Sequence, residues 1–170
     1  RELYGIFQAI PAIRKAKTII VTEGYMDVIA LHKVGIQNSV APLGTALTET
    51  QLQILWRSMP EPTLCFDGDA AGQRASVKLA IKALPLLKPG FGLRFASLPP
   101  GEDPDSLINS KGLEVFKMLL STAKPLSEFI WNLESNEGYL PSSPELRAAL
   151  QQRLQDHTKL INDPNTRGHF

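Results

Sequence analysis

Carboxylates that directly follow predicted strands constrain the fold of this chain more than any other sequence feature. Residues 18–22 (Thr-Ile-Ile-Val-Thr) are a β-branched run that predicts a short buried strand, and Glu23 follows it. We expect the chain to turn at Gly24, after which residues 25–34 carry apolar side chains at helical spacing. The stretch therefore predicts a strand, a carboxylate and a helix in succession, with Asp27 on the first helical turn facing the same space.

The alternation of strands and helices continues beyond this stretch. Short apolar runs predict three further strands, at residues 38–41, 63–66 and 91–97. A Thr-Glu-Thr-Gln capping box at residues 48–51 begins one predicted helix, and residues 71–87 form a longer amphipathic helix. This pattern predicts an α/β fold in which helices flank a four-stranded parallel sheet with right-handed crossovers.

Two helical segments are predicted on either side of this α/β domain. Residues 1–16 are expected to form a short helical lead-in interrupted by Pro11, and the α/β domain is expected over residues 17–110. Residues 111–170 are predicted to form a small all-helical subdomain without strands. Because the chain begins abruptly and ends with no stop signal, we expect a fragment of a longer protein, truncated in its last segment.

Acidic residues follow three of the four predicted strands. These residues are Glu23, Asp67, Asp69, Asp103 and Asp105. We expect Gly68 to allow a turn that points the two aspartates beside it into one cavity. Because the C-terminal ends of parallel strands share one edge of a sheet, the five acids are expected to meet at that edge.

Each acid also has an explanation that needs no ligand. Glu23 can interact with the positive end of a helix, and Asp69 and Asp103 can cap helices, the latter with Pro104 in the first helical position. Helix-start acids are common, so one acid does not identify a site. Five carboxylates at one edge repel one another unless a cation is bound, which favours Mg²⁺ or Mn²⁺.

The chemistry of the donors restricts the metal and its use. The single cysteine and the three histidines have no ligand-like spacing, so zinc is not expected in this chain. Hard divalent cations act on phosphates: they neutralise charge and orient the leaving group, and a pair of them can activate an attacking oxygen. In the loop after the second strand, the backbone N–H of Gly44 can approach a ligand closely, beside Thr45.

Composition excludes some classes of protein. With 18 Lys plus Arg against 17 Asp plus Glu, the net charge of +1 gives no global attraction to nucleic acid. Arg74 and Lys78 can contact phosphates, although a solvated helix face is the preferred interpretation. No apolar run approaches the roughly 20 residues of a membrane span, and no signal peptide is recognisable. The lone cysteine excludes an intramolecular disulfide, which fits a reducing compartment.

Four short motifs occur in a fixed order along residues 1–109. They are Glu-Gly-Tyr-Met-Asp-Val-Ile at 23–29, Ala-Pro-Leu-Gly-Thr at 41–45, Asp-Gly-Asp at 67–69 followed by Ala71 and Gly72, and Gly-Glu-Asp-Pro-Asp at 101–105. Together they resemble the Toprim catalytic domain of bacterial DnaG-type primases, whose fold is Rossmann-like. The chain departs from that family at Ala70, where many primases have a basic residue.

The resemblance implies metal-dependent synthesis of short RNA primers on a single-stranded DNA template. Its implied catalytic residues are Glu23, Asp67 and Asp69; its implied Mg²⁺ or Mn²⁺ ligands are Glu23, Asp67, Asp69, Asp103 and Asp105; and its possible accessory residues are Asp27, Gly44, Thr45, Arg74 and Lys78. The implied partners are DNA template, nucleoside triphosphates, RNA primer and a replicative helicase, at the replication fork in the cytoplasm. The family's zinc module, basic subdomain and helicase-binding region lie outside this sequence, so we expect metal binding but weak or no primer synthesis.

Three other functions share parts of this pattern. A Toprim nuclease or topoisomerase uses the same chemistry, but a topoisomerase needs a nucleophilic tyrosine, and none of the three tyrosines here has an evident activating setting. A phosphoaspartyl hydrolase normally has its Asp-x-Asp pair after the first strand, whereas this pair follows the third. The third alternative is a non-catalytic receiver or a metal- and nucleotide-binding module. A receiver would place acids after its first strand and a lysine after a late one, whereas this chain has Glu23 and a proline-rich acidic loop.

Overall fold

The structure is a computed structural model that describes residues 3–44, 46–136 and 138–170. Thr45, a predicted accessory residue, lies outside the described residues. The strands within them are β1 (Leu3–Tyr4), β2 (Ile20–Val21), β3 (Ser39–Pro42), β4 (Thr63–Phe66), β5 (Arg94–Ser97) and β6 (Lys124–Pro125). They form one sheet in the order β1-β3-β2-β4-β5-β6.

The four central strands are parallel, as predicted. Strand β2 pairs with β3 and β4, and β4 pairs with β5, with Val21 opposite both Val40 and Leu64. At the edges of the sheet, β1 pairs antiparallel with β3, and β6 pairs antiparallel with β5. The prediction that no strand lies beyond residue 110 was therefore wrong. Strands of two residues are too short to show an alternating pattern, so they arise from long-range pairing alone.

Helices connect the strands and complete the chain. They are α1 (Ile6–Ala16), α2 (Tyr25–Lys33), α3 (Glu49–Ser58), α4 (Ala70–Ala83), α5 (Pro104–Lys111), α6 (Leu113–Ser121), α7 (Leu126–Glu134), α8 (Pro144–Lys159) and α9 (Pro164–His169), with a 3₁₀ turn at Leu84–Leu86. Helix α1 continues through Pro11 instead of breaking there. Proline removes one backbone hydrogen bond, to the carbonyl of Phe7, a residue on the exposed side of the helix.

Each face of the sheet has its own apolar core. Along β4, Leu64 and Phe66 belong to one core, while Cys65 between them belongs to the other. The first core is covered by α1, α3, α4 and α7, and the second by α2, α5 and α6. Burial raises the pKa of the Cys65 thiol to about 12, so this cysteine is a packing residue and not a nucleophile.

The C-terminal helices share the core of the sheet. Leu126 and Ile130 of α7 and Ile161, just after α8, are buried in the same cluster as Val21 and Phe95. The division of the chain at residue 110 stays a prediction. Among the described residues, no helix is long and apolar enough to cross a membrane.

Candidate active site

Glu23 and Asp67 meet at the C-terminal ends of neighbouring parallel strands. The backbone N–H of Asp67 donates a hydrogen bond to Oε1 of Glu23 over 3.2 Å. The buried hydroxyl of Thr22 donates to the carbonyl of Gly24 over 3.1 Å, which stabilises the turn after β2. The structure thus brings together two predicted site residues from distant parts of the sequence.

Gly72 allows α4 to begin directly against this pair. A Cβ on Gly72 would lie 2.1 Å from the carbonyl oxygen of Asp67 and 2.6 Å from Oε1 of Glu23. Any side chain would therefore displace one of the two acids. The motif that includes Gly72 was recognised in the sequence, but its role beside Glu23 was not, because the contact joins separate segments.

Gly68 has a different role from the one expected. Its φ lies outside the left-handed region, but a Cβ there would lie 2.0 Å from the carbonyl oxygen of Pro99. Its N–H donates to the carbonyl of Glu102 over 2.8 Å. The lack of a side chain at Gly68 therefore lets the loop that carries Asp103 lie directly against the loop after β4. Gly24 is also extended, with φ −117°, as the N-cap of α2, so neither glycine makes a left-handed turn.

Asp69 and Asp103 are helix N-caps, as the explanation without a ligand predicted. Oδ1 of Asp69 accepts hydrogen bonds from the N–H groups of Ala71 and Gly72, each over 2.8 Å. Oδ1 of Asp103 accepts from the N–H of Ser106 over 2.7 Å. Within the described residues these bonds use only Oδ1, so each side chain keeps Oδ2 for a ligand. Capping and metal binding are therefore compatible.

The remaining predicted acids lie on the first turns of two helices. Asp105 is exposed at the start of α5, and its Oδ1 accepts a hydrogen bond from Nδ2 of Asn109 over 3.0 Å. Asp27 is half-buried, and its Oδ2 accepts from the N–H of Gly24 over 3.2 Å. That bond also orients the turn that follows Glu23.

The carboxylates at this edge act on one another electrostatically. Burial raises the pKa of Glu23, and the negative charges of Asp67, Asp69 and Asp27 raise it further. Burial also raises the pKa of Asp67, with added contributions from the charges of Asp103 and Asp69. Acids from three separate segments are thus close enough to disfavour one another's ionised forms.

The charges of neighbouring carboxylates act on Asp27 as well. Burial raises its pKa to about 6, the charges of Asp67, Asp103 and Asp105 add to the rise, and the hydrogen bond from Gly24 opposes it. A cation bound at this edge would stabilise the ionised forms of all these side chains.

The residues present fit a hard divalent cation. Oδ1 of Asp67 is buried and has no hydrogen-bond partner among the described residues, which is unfavourable unless a ligand binds it. In residues 3–44, 46–136 and 138–170, no three His, Cys, Asp or Glu side chains are placed to hold one ion together. This arrangement suits Mg²⁺, which usually binds one or two protein carboxylates and completes its shell with water and substrate phosphates.

The other predicted accessory residues are exposed. Gly44 has φ +70°, with open space around it. Arg74 and Lys78 lie on the exposed side of α4 and form no ion pair within the part of the chain that the structure describes. Their contacts with a ligand stay predictions.

A groove beside Asp67 was missed by the sequence interpretation. It encloses about 690 Å³ between α4, β5 and α7. Its polar lining residues include Gln73, Ser76, Ser97, Asn132 and Asn136. Residues from three separate segments line it, so no local sequence signal predicts it.

Comparison with known proteins identifies the relatives of this chain. The Toprim domain family matches residues 17–96. The DNA primase of Rickettsia bellii is 42% identical over 168 residues, covering 99% of this chain and 28% of that protein. A DNA primase domain from Pseudomonas aeruginosa superimposes with a TM-score of 0.88 and 40% identity, covering 98% of this chain and 52% of that one. A DnaG primase catalytic domain bound to single-stranded DNA superimposes with a TM-score of 0.85 and 37% identity, covering 99% of this chain and 54% of that one.

These comparisons confirm the resemblance and the fold that it implies. The chain spans about 28% of the length of the curated relatives that it matches first. Because those relatives are DNA primases, a nuclease or topoisomerase is not favoured. Residues 17–96 belong to the Toprim family, and the chain as a whole is homologous to part of the catalytic core of bacterial DnaG-type DNA primases.

Proposed function

We propose that this chain carries the metal-binding half of a primase active site, which joins ribonucleotides into short RNA primers on single-stranded DNA. The observation that supports this proposal best is the pairing of Glu23 with the backbone of Asp67, beside a buried carboxylate oxygen that has no hydrogen-bond partner in the described part of the chain. Phosphoryl transfer depends mainly on positioning and on charge neutralisation, and the edge of the sheet offers both.

The roles of the acids follow from their surroundings. Glu23, Asp67 and Asp69 would supply the carboxylates for Mg²⁺ or Mn²⁺, with no more than two of them on any one ion and with water and phosphate oxygens in the other positions. Asp103 and Asp105 would complete the acidic edge. When bound, the cation would neutralise the triphosphate and lower the pKa of the attacking oxygen. The hydrogen bond from Asp67 fixes Oε1 of Glu23, so that Oε2 can bind the ion or accept a proton.

Basic and glycine residues would support this chemistry. Arg74 and Lys78 on α4 are exposed and can contact phosphates, and Gly44 can present its backbone N–H. Asp27 would orient the turn at Glu23 through its bond to Gly24.

The partners would be those of a primase in the cytoplasm at a replication fork. We propose DNA template, nucleoside triphosphates and RNA primer as ligands, and a replicative helicase that binds a region outside this sequence. One structural relative is a primase domain bound to single-stranded DNA. The relatives are much longer than this chain. We therefore propose that residues 1–170 bind metal but prime weakly or not at all, with a lead-in (1–16), a Toprim domain (17–110) and a helical subdomain (111–170).

Mn²⁺ titration followed by electron paramagnetic resonance tests this proposal. Asp67→Asn is expected to weaken Mn²⁺ binding about tenfold or more, because it removes one ligand charge. Glu114→Gln is the matched control, since Glu114 is an exposed carboxylate on α6 that pairs with Lys117. Unchanged Mn²⁺ binding in both Asp67→Asn and Asp69→Asn would rule out the metal site.

A further inference from the structure

We infer that the groove beside Asp67 binds the base and ribose of a ribonucleotide whose phosphates lie at the acidic edge. This inference rests on the proposed function, because it takes the acids Glu23 and Asp67 as the phosphate end of the site. It adds a second surface to that site, contributed by the helical segment.

The groove is continuous with the acidic edge. Asp67 and Gly68 belong to its lining, and so does Asn136, just beyond α7. Its volume of about 690 Å³ lies within the range of about 300–1,000 Å³ typical of small-molecule sites. A nucleotide with its phosphates at Asp67 can therefore extend into it.

The charge of the groove favours an uncharged ligand group. Asp67 is the one carboxylate that lines it, and Lys124 is the one cation, among the described lining residues. Nζ of Lys124 already pairs with Oε1 of Glu128 over 2.9 Å. The groove therefore offers little electrostatic attraction to phosphates. They are better placed at the acidic edge, where a divalent cation would bind.

The polar side chains of the groove suit bases and sugars. Gln73, Asn132 and Asn136 supply amides, which donate and accept hydrogen bonds at once, as base edges and ribose hydroxyls require. Phe129 also lines the groove, is only partly buried, and stacks on Phe95 with 4.0 Å between ring centroids. Its ring offers an apolar surface against which a base can pack.

Two sources can supply this ribonucleotide: a free nucleoside triphosphate, or the terminal nucleotide of an RNA strand. Calorimetric titration of the 170-residue chain in Mg²⁺ with ATP, with a short RNA oligonucleotide and with tripolyphosphate distinguishes them. The test variant combines Asn132→Ala with Asn136→Gly; glycine suits the left-handed backbone there, where φ is 51°. Asn165→Ala, on exposed α9, is the matched control.

We expect the double variant to bind ATP or RNA about fivefold to tenfold more weakly than wild type, from the loss of about one or two hydrogen bonds. Its tripolyphosphate affinity should stay within about twofold. A weaker affinity for ATP identifies the free nucleotide as the ligand, and a weaker affinity for RNA alone identifies the strand terminus. Unchanged affinity for both ligands, or an equal loss for tripolyphosphate, would overturn the inference.

The Asp67→Asn variant separates this result from the proposed function. It should weaken tripolyphosphate binding as well, since it acts at the phosphate end. If tripolyphosphate binds Asp67→Asn as tightly as wild type, the proposed metal site at Asp67 is ruled out. Binding of a base and ribose in the groove is then judged from the Asn132→Ala and Asn136→Gly double variant alone.

Discussion

The backbone N–H of Asp67 lies 3.2 Å from Oε1 of Glu23, and this hydrogen bond joins the ends of two parallel strands that are 44 residues apart in sequence. The donor is a main-chain group, so the position of β4 determines the orientation of the Glu23 side chain. The site therefore depends on the register of the sheet, in which Val21 lies opposite Leu64. A shift of either strand would separate the two acids even if both side chains were kept.

Substitutions at Asp69 can separate capping from metal binding. Asparagine caps helices about as well as aspartate, so Asp69→Asn should leave the free energy of unfolding almost unchanged and weaken Mn²⁺ binding. Asp69→Ala should also lose the bonds to Ala71 and Gly72 and cost about 0.5–2 kcal/mol. Urea denaturation and Mn²⁺ titration of both variants measure the two effects. Equal Mn²⁺ affinity in wild type and Asp69→Asn would leave Asp69 as a cap only.

Gly72→Ala should damage both the fold and the acid pair. The new methyl group would lie within 2.6 Å of Oε1 of Glu23 and closer still to the backbone of Asp67. We expect a loss of about 1–3 kcal/mol in the free energy of unfolding, together with weaker Mn²⁺ binding. Gly168→Ala is the control: it has open space in α9 and should be neutral or stabilising by up to about 1 kcal/mol. Thermal denaturation that ranks the two variants equally would contradict this prediction.

Asp27→Asn should stabilise the protein at neutral pH. Burial raises the pKa of Asp27 from 3.8 to about 6, so the native state holds this proton more tightly than the unfolded chain. Stability is therefore fully present below the unfolded pKa and falls as the pH rises through about 6. Near pH 7 the variant should gain about 1–2 kcal/mol, since water screens a half-buried charge.

Urea denaturation across this pH range measures the effect of Asp27→Asn. The gain should vanish near pH 4, where wild-type Asp27 is largely protonated. It should also shrink in saturating Mg²⁺, because a bound cation relieves the repulsion among the acids. A difference between variant and wild type that does not change with pH would contradict the assigned cause.

Glu134→Gln should loosen the contact between α7 and α8. Oε2 of Glu134 accepts a hydrogen bond from Nε of Arg153, and Oε1 lies 2.7 Å from Nε2 of His157. Burial acts to raise the pKa of Glu134, but the bonds to His157 and Arg153 outweigh it and lower the pKa, so this stabilisation is present above pH 4.5 and lost as the pH falls below it. We expect a cost of about 1–3 kcal/mol at pH 7.

Thermal denaturation at pH 7 tests the role of Glu134. Glu128→Gln is a suitable control, because Glu128 lies on the same helix and pairs with Lys124 while about half exposed. Loss of the Glu128–Lys124 ion pair should change the free energy of unfolding by less than about 1 kcal/mol. Equal effects of the two substitutions would show that Glu134 acts as an ordinary surface charge.

Features that depend on neighbours in sequence could be predicted. Thr48 caps α3, with Oγ1 accepting from the N–H of Gln51 over 3.3 Å, and Pro104 follows the Asp103 cap. These bonds span three residues, so the local sequence is sufficient to specify them. The parallel direction of the four central strands could also be predicted, because short apolar runs alternate with amphipathic helices along the chain.

Features that depend on long-range packing could not be predicted. Strand β6 exists because Lys124 lies opposite Phe95, and the contact of Gly68 with Pro99 joins separate loops. The groove likewise combines α4, β5 and α7. The acids could be recognised one by one from the sequence. That no three of them in the described ranges are placed to hold one ion follows from the assembled sheet.

Leu126, Ile130 and Ile161 are buried in the core of the sheet, so the α/β domain and the C-terminal helices depend on each other for folding. A Toprim unit cut from its helices would expose Phe95, whose ring stacks on Phe129 of α7. Gene rearrangements that transplant the acidic motifs without these helices should therefore yield aggregation-prone products. The acidic edge and the helices packed behind it are therefore expected to be inherited together as one unit.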